Sequence, residues 1–170
     1  MKRAIPIEYI RPRHDLTWSE IELGLREGWL SSEDVIAFAA SAHQEGAAAV
    51  ENSEIAAISP EEPDRLLNVV GALAAREGST QDAIRIAWLR ILVAWVYDNR
   101  TRFPNPLGIL EGLYADFDYP DEIHHLIPFN VPSDGYRPQD HTHEENIARL
   151  MSMWGEYVDQ HMLLRPERNG

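Results

Sequence analysis

Four histidines and a group of carboxylates in the second half of the chain are the residues whose types could support chemistry. His141 and His143 flank Thr142, with Asp140, Glu144 and Glu145 beside them, and the pair His124-His125 lies upstream. Imidazoles and carboxylates suit zinc, iron or nickel, and a loop folded back on itself could gather a ligand set. Histidines two apart at a helix start point in different directions, however. The chain has neither the helical histidine pair of a zinc peptidase nor a regular carboxylate–histidine pattern. Polar side chains at a loop–helix junction ordinarily serve as solvated caps, so no metal is expected at His141 and His143. The carboxylates Glu111, Asp116, Asp118, Asp121 and Glu122 could include an acid/base pair of the glycosidase kind. Helix capping accounts for Asp118 and Asp121 more simply. There is no glycine-rich phosphate loop, no serine in a nucleophile elbow and no cysteine. No catalytic residue and no cofactor are therefore assigned.

Charge is more informative in its distribution than in its total. Over 170 residues, 28 acids against 15 bases give a net charge of −13. Ser31 to Asp64 holds eight acids and no lysine or arginine, and Phe103 to Ala148 holds nine acids and one base, Arg137. The remaining segments are neutral or mildly basic. Phosphate backbones and anionic membranes need the opposite sign, which makes nucleic acid and membrane poor partners, whereas a basic protein would be attracted. Solubility alone is the plainer account of the same charge. The N-terminus has no apolar run of the signal-peptide kind, and the longest apolar stretch, Ile91 to Tyr97, is too short to span a bilayer. A cytoplasmic protein is the expectation.

The elements that must position these residues read as helices throughout. Thr17 and Glu20 form a capping box for a helix presenting Trp18, Ile21 and Leu25 on one face, closed by Gly28. Ser31 or Ser32 caps a second helix ending near Gly46, and residues 47–58 are expected to be helical. Ser59-Pro60-Glu61-Glu62 reads as a helix start, with Pro63 as the competing start. Ser79 or Thr80 opens the longest apolar helix, about 81–99, where Ile84, Trp88, Ile91 and Trp95 form a stripe. Apolar on most sides, it is expected to be the buried central helix, with Trp88 and Trp95 both inaccessible. Asn105-Pro106 starts a shorter helix, Pro120 a further turn to Leu126, and residues 128–141 form one long loop. Thr142 and Glu145 open the last helix, with His161 packed at the edge of the core. With no alternating strand pattern and no linker, the expectation is all-α: one multi-helix bundle over residues 1–170, with 165–170 as a frayed tail.

Aromatic rings alternate with carboxylates in Leu113-Tyr114-Ala115-Asp116-Phe117-Asp118-Tyr119-Pro120-Asp121-Glu122-Ile123. Rings of this kind leave water while unpaired acids resist burial, which places the segment at the edge of a core. Asp116 is expected there partly buried against Arg85, Arg90 or Arg100. Together with Trp95-Val96-Tyr97-Asp98-Asn99-Arg100, Asn105-Pro106-Leu107 and the ending Arg149-Leu150-Met151-Ser152-Met153-Trp154-Gly155-Glu156-Tyr157, this segment resembles an uncharacterised bacterial family, domain of unknown function twenty-two forty-seven. The resemblance is specific over residues 88–158 and implies no activity. Ile127-Pro128-Phe129-Asn130 departs from it, standing where a tyrosine-methionine-proline ending belongs.

By analogy of size and charge, small acidic families of this kind resemble the immunity proteins encoded beside bacterial toxins. The expected function is thus a non-enzymatic acidic protein-binding domain, an immunity-type inhibitor of a basic toxin domain. Glu33, Asp34 and Glu45 from the first acidic tract and Asp116, Asp118, Asp121 and Glu122 from the second are the candidate partner-binding residues. The alternatives are a metal-dependent hydrolase using the histidine-rich loop, or a structural or regulatory helical module.

Overall fold

The computed structural model describes residues 4–44 and 50–162. Among them every regular element is helical and there is no strand, as the periodicity requires. No helix of the described residues is long and apolar enough to cross a membrane. The chain divides between Trp88 and Leu89 into two compact units.

In the N-terminal unit, α1 (Ile7–Ile10) is a single turn, and the sequence pattern gave no warning of it. Its segment is anchored by the Ile5 N–H donating to the Trp29 carbonyl at 2.8 Å, and Ile5, Ile7 and Ile10 are buried. The next helix, α2 (Trp18–Glu27), has the expected capping box: Thr17 Oγ1 accepts from the Glu20 N–H, and the Glu20 carboxylate accepts from the Thr17 N–H. Gly28 ends it in the left-handed region at φ 71°, a conformation that costs glycine little. Ser31 caps α3 (Ser32–Gln44) by accepting from the Asp34 N–H at 3.1 Å. After it come α4 (Val50–Ala56) and α5 (Pro63–Ala74). Pro63 occupies the first turn of α5, while Ser59-Pro60-Glu61-Glu62 forms a separate turn in which Ser59 Oγ accepts from the Glu61 N–H. The expected helix end near Gly46 and residues 45–49 lie outside the described residues.

Two tertiary contacts hold this unit in register. Glu77, just beyond α5, accepts the N–H groups of Trp18 and Ser19 and the Ser19 hydroxyl, each at 2.8 Å. A carboxylate thereby satisfies orphan donors at the start of α2 and opposes the positive end of its dipole. Helix α6 (Gln81–Asp98) begins with Thr80 as cap and sends Trp88 inward, where its indole N–H donates to the Glu20 carbonyl at 2.8 Å. Gly24 leaves room for that indole: a β-carbon there would lie 2.4 Å from Trp88 Cζ2 and 2.9 Å from Leu30 Cδ1.

The other unit is built from the second half of α6, α7 (Pro106–Asp116) and α8 (His143–His161), joined by short 3-10 turns at Arg100–Arg102, Asp121–Leu126 and Pro138–Asp140. Asn105 caps α7 through the Gly108 N–H, and Thr142 with Glu145 forms a second capping box at α8. Leu89, Ile91, Leu92, Val93, Ala94 and Val96 are all 1% exposed or less, so this second half of α6 is covered on most sides. Trp95 is the exception to the expectation: it is only partly buried, and Trp154 of α8 is the fully enclosed tryptophan instead. The Trp154 indole N–H reaches the Val93 carbonyl at 3.2 Å, and its ring meets Tyr97 at 5.5 Å. His161 is exposed, with its ring against Tyr157 at 4.5 Å, and the expected frayed tail, 165–170, lies outside the described residues.

Denaturant unfolding is expected to separate these roles. Trp88→Ala and Trp154→Ala should each cost about 3–5 kcal/mol, with Trp95→Ala costing clearly less. Gly24→Ala should destabilise by about 1–3 kcal/mol through overpacking against Trp88. Gly112→Ala in α7, where a β-carbon meets nothing within 4 Å, should instead stabilise by about 0.5–1 kcal/mol.

Candidate functional site

The chemistry-bearing residues of the C-terminal unit gather around the segment from Tyr114 to Arg149. Helix α7 ends with two consecutive residues in the left-handed region, Asp118 at φ 62° and Tyr119 at φ 58°. Neither is glycine, so this cap is strained, and it is held by the Tyr119 N–H donating to the Tyr114 carbonyl at 2.8 Å. The geometry turns the Tyr119 ring outward, 62% exposed, edge-on to Tyr114 at 5.2 Å. Phe129, 65% exposed, stands 6.4 Å from the same Tyr114 ring, and Val131 is 83% exposed. Tyr114 itself is buried, so it acts as the post against which both outer rings lean. This aromatic surface comprises the departure at Ile127-Pro128-Phe129-Asn130 and the ring–acid segment together.

The acids distribute unevenly around it. Asp116, Asp118 and Asp121 are exposed; Asp116, expected half-buried against an arginine, is solvent-facing at the end of α7. Glu122 is different. Its Oε1 accepts from Arg90 Nε at 2.7 Å and from the Tyr157 hydroxyl at 2.7 Å, and its Oε2 accepts from Arg90 Nη2 at 3.1 Å. Burial opposes ionisation of this carboxyl, but the Arg90 fork and the Tyr157 hydroxyl outweigh it and hold its pKa below the ordinary value. Burial, and the hydrogen bond to Glu122, push the Tyr157 phenol far above its ordinary range. Glu122 is thus a tie between α6, the Asp121–Leu126 turn and α8, with both oxygens already engaged. In the N-terminal unit, Glu33 is exposed in the first turn of α3 and Asp34 is partly buried, its N–H taken by Ser31. Glu45 lies outside the described residues.

The long loop is not loose. Tyr136 donates its hydroxyl to Asn146 Oδ1 at 2.7 Å and stacks on His141 at 4.6 Å, and the Asn146 amide reaches back to the Pro138 carbonyl at 3.0 Å. Arg149 lies over the Tyr136 ring at 4.1 Å and pairs with Asp134 through Nη2. Pinned in this way, the loop closes a cleft of about 200 Å³ against α8, lined by His124, His125, His143, Asn146, Arg149 and apolar side chains including Ile127 and Ile147. Three of the four histidines line this one cleft, while His141 is drawn onto Tyr136 and lies 3.7 Å from Glu145. Among the described residues no three histidines or acids converge as a metal-ligating group. Burial first, and then repulsion from neighbouring groups including the Arg149 guanidinium, keeps the His125 imidazole below its ordinary pKa. The sequence signalled the histidines but not the cleft, since only Tyr136 and Asn146 reveal where the loop is fastened.

A family model described as "Uncharacterized protein conserved in bacteria (DUF2247)" matches residues 7–162, and the chain belongs to that family. No curated protein and no solved structure gives a match to it.

The Glu122 tie makes a pH-dependent prediction. Its pKa is depressed on folding, so the stabilisation is complete above the unfolded value near 4.5 and is lost as pH falls through the folded value. Glu122→Gln should lower stability at pH 7 by about 1–3 kcal/mol. The difference between wild type and variant should shrink as unfolding is measured at successively lower pH below 4.5.

Proposed function

We propose that this chain is a non-enzymatic protein-binding domain of the immunity type, which docks a basic partner such as a toxin nuclease through the aromatic surface beside Tyr114. The observation that carries this reading is the exposure of Tyr119, Phe129 and Val131 in one short segment, with Asp116, Asp118 and Asp121 exposed alongside. Large rings held outward by a strained helix end are the anchors that interfaces use, and charged residues at the rim govern encounter. A nuclease groove built for phosphate is positive, so an acidic domain competes for the same field. The remaining acids, Glu33 and Asp34 among them, need touch nothing to contribute, because the net charge of −13 steers a cationic partner at long range. Glu122 contributes structure to this surface and little contact.

The test is binding kinetics against the product of the neighbouring gene at two salt concentrations. The triple variant Asp116→Asn/Asp118→Asn/Asp121→Asn should associate more slowly and lose much of the salt dependence of association, with dissociation little changed. Tyr119→Ala/Phe129→Ala should do the reverse, speeding dissociation roughly a hundredfold or more at unchanged association. If neither set of variants alters either rate while the fold stays intact, this surface is not where the partner docks.

A further inference from the structure

The cleft beside α8 departs from the rest of the molecule in its chemistry. The chain carries 28 acids, yet no aspartate or glutamate lines this cleft, whereas three histidines and Arg149 do. We propose that it is a binding site for a small organic monoanion, a carboxylate carried on a compact apolar body. The cleft shares Val131 with the partner surface, but the inference does not depend on that reading.

The donors are set before any ligand arrives. The Asn130 side-chain amide donates to the His124 carbonyl at 2.9 Å, which fixes which way that amide faces. The same NH₂ approaches His124 Nδ1 at 3.1 Å, so Nδ1 must be the accepting nitrogen, with the Tyr114 hydroxyl 2.9 Å from it as well. With Nδ1 accepting, the ring proton of His124 sits on Nε2, and this cleft-lining residue carries an N–H donor there. Arg149 is likewise preorganised, its plane on Tyr136 and its Nη2 on Asp134, and among the described residues its Nε and Nη1 have no hydrogen-bond partner. Burial, and then the nearby Arg149 charge, oppose a second proton on His125, and that same charge favours an anion beside it.

Size and charge narrow the ligand. Apolar side chains of Ile127, Val131, Ile147 and Leu150 line an open cleft of about 200 Å³. A cavity of about 150 Å³ accommodates benzene, so one ring or branched chain with a carboxylate fits here and a nucleotide does not. A dianionic phosphate needs more positive charge than one arginine already shared with Asp134 provides. A monoanion matches that supply.

The experiment is a titration of the whole protein at pH 7 with phenylacetate, neutral phenylacetamide and inorganic phosphate, followed by calorimetry and by the histidine and isoleucine resonances. Phenylacetate should give saturable shifts at His124, His143 and Ile147, binding at least several-fold more tightly than the amide or phosphate. Arg149→Gln should weaken it roughly tenfold, the worth of one charge-assisted hydrogen bond. Because Arg149 also helps to fasten the loop, Ile147→Trp provides a second variant that fills the cleft while keeping every donor, and it should abolish binding at unchanged melting temperature. Absence of saturable shifts with phenylacetate, equal affinity for the amide, preference for phosphate, or full binding by Ile147→Trp would each overturn the proposal.

Discussion

An α-helix that is apolar around most of its circumference has no stable place in water, and α6 is such a helix. Its second half presents Leu89, Ile91, Leu92, Val93, Ala94 and Val96 in directions that no single packing face can cover. Each unit must therefore bring other elements around its share of α6, and the contacts that follow are set by that need. In each unit an indole is the largest side chain enclosed, Trp88 in one and Trp154 in the other, and each has a carbonyl acceptor for its N–H. That pairing matters because burying an indole N–H unsatisfied would forfeit much of what its ring contributes.

A chain with a net charge of −13 also has to decide which acids it uses internally. Glu20 and Glu145 close capping boxes, Glu77 satisfies the start of α2, and Glu122 ties three elements through Arg90 and Tyr157. Each of these carboxylates has donors on it, so burial or ordering does not leave a naked charge. Asp116, Asp118 and Asp121 lie outward, next to rings that are also outward. Acids near a docking surface act through long-range attraction, whereas acids inside a helix cap act through geometry, and the fold separates these two uses residue by residue.

The Tyr114–His124–Asn130 network links the two features of the C-terminal unit. Tyr114 supports the exposed rings of Tyr119 and Phe129, and its hydroxyl meets the imidazole that walls the cleft. Asn130 holds the intervening turn to the backbone of His124. A short hydrogen-bonded set thus shapes both an aromatic surface and the neighbouring cleft, with opposite local polarity: the surface is flanked by acids and the cleft is lined by none.

Much of the fold was legible locally. Thr17 with Glu20, Thr142 with Glu145, Asn105 with Pro106, and the left-handed Gly28 all mark helix ends through bonds that span four residues or fewer, and such bonds are written in the sequence directly. The span of α6 and the all-α class followed from periodicity for the same reason. Where the sequence misled, the deciding contact was distant. Trp95 lies on the same stripe as Trp88, yet Trp154, 59 residues later, took the enclosed place because only packing decides which ring is covered. Of the two starts the sequence offers for α5, Pro63 is the one taken, and the segment of α1, which the pattern does not mark, is tied by Ile5 to the distant Trp29. The candidate site divides along the same line. Composition named the histidines and acids; which acids were spent on Arg90 or on caps, and which histidines met across a loop fastened by Tyr136, Asn146 and Arg149, depended on hydrogen bonds and stacking between residues that only the folded chain brings together.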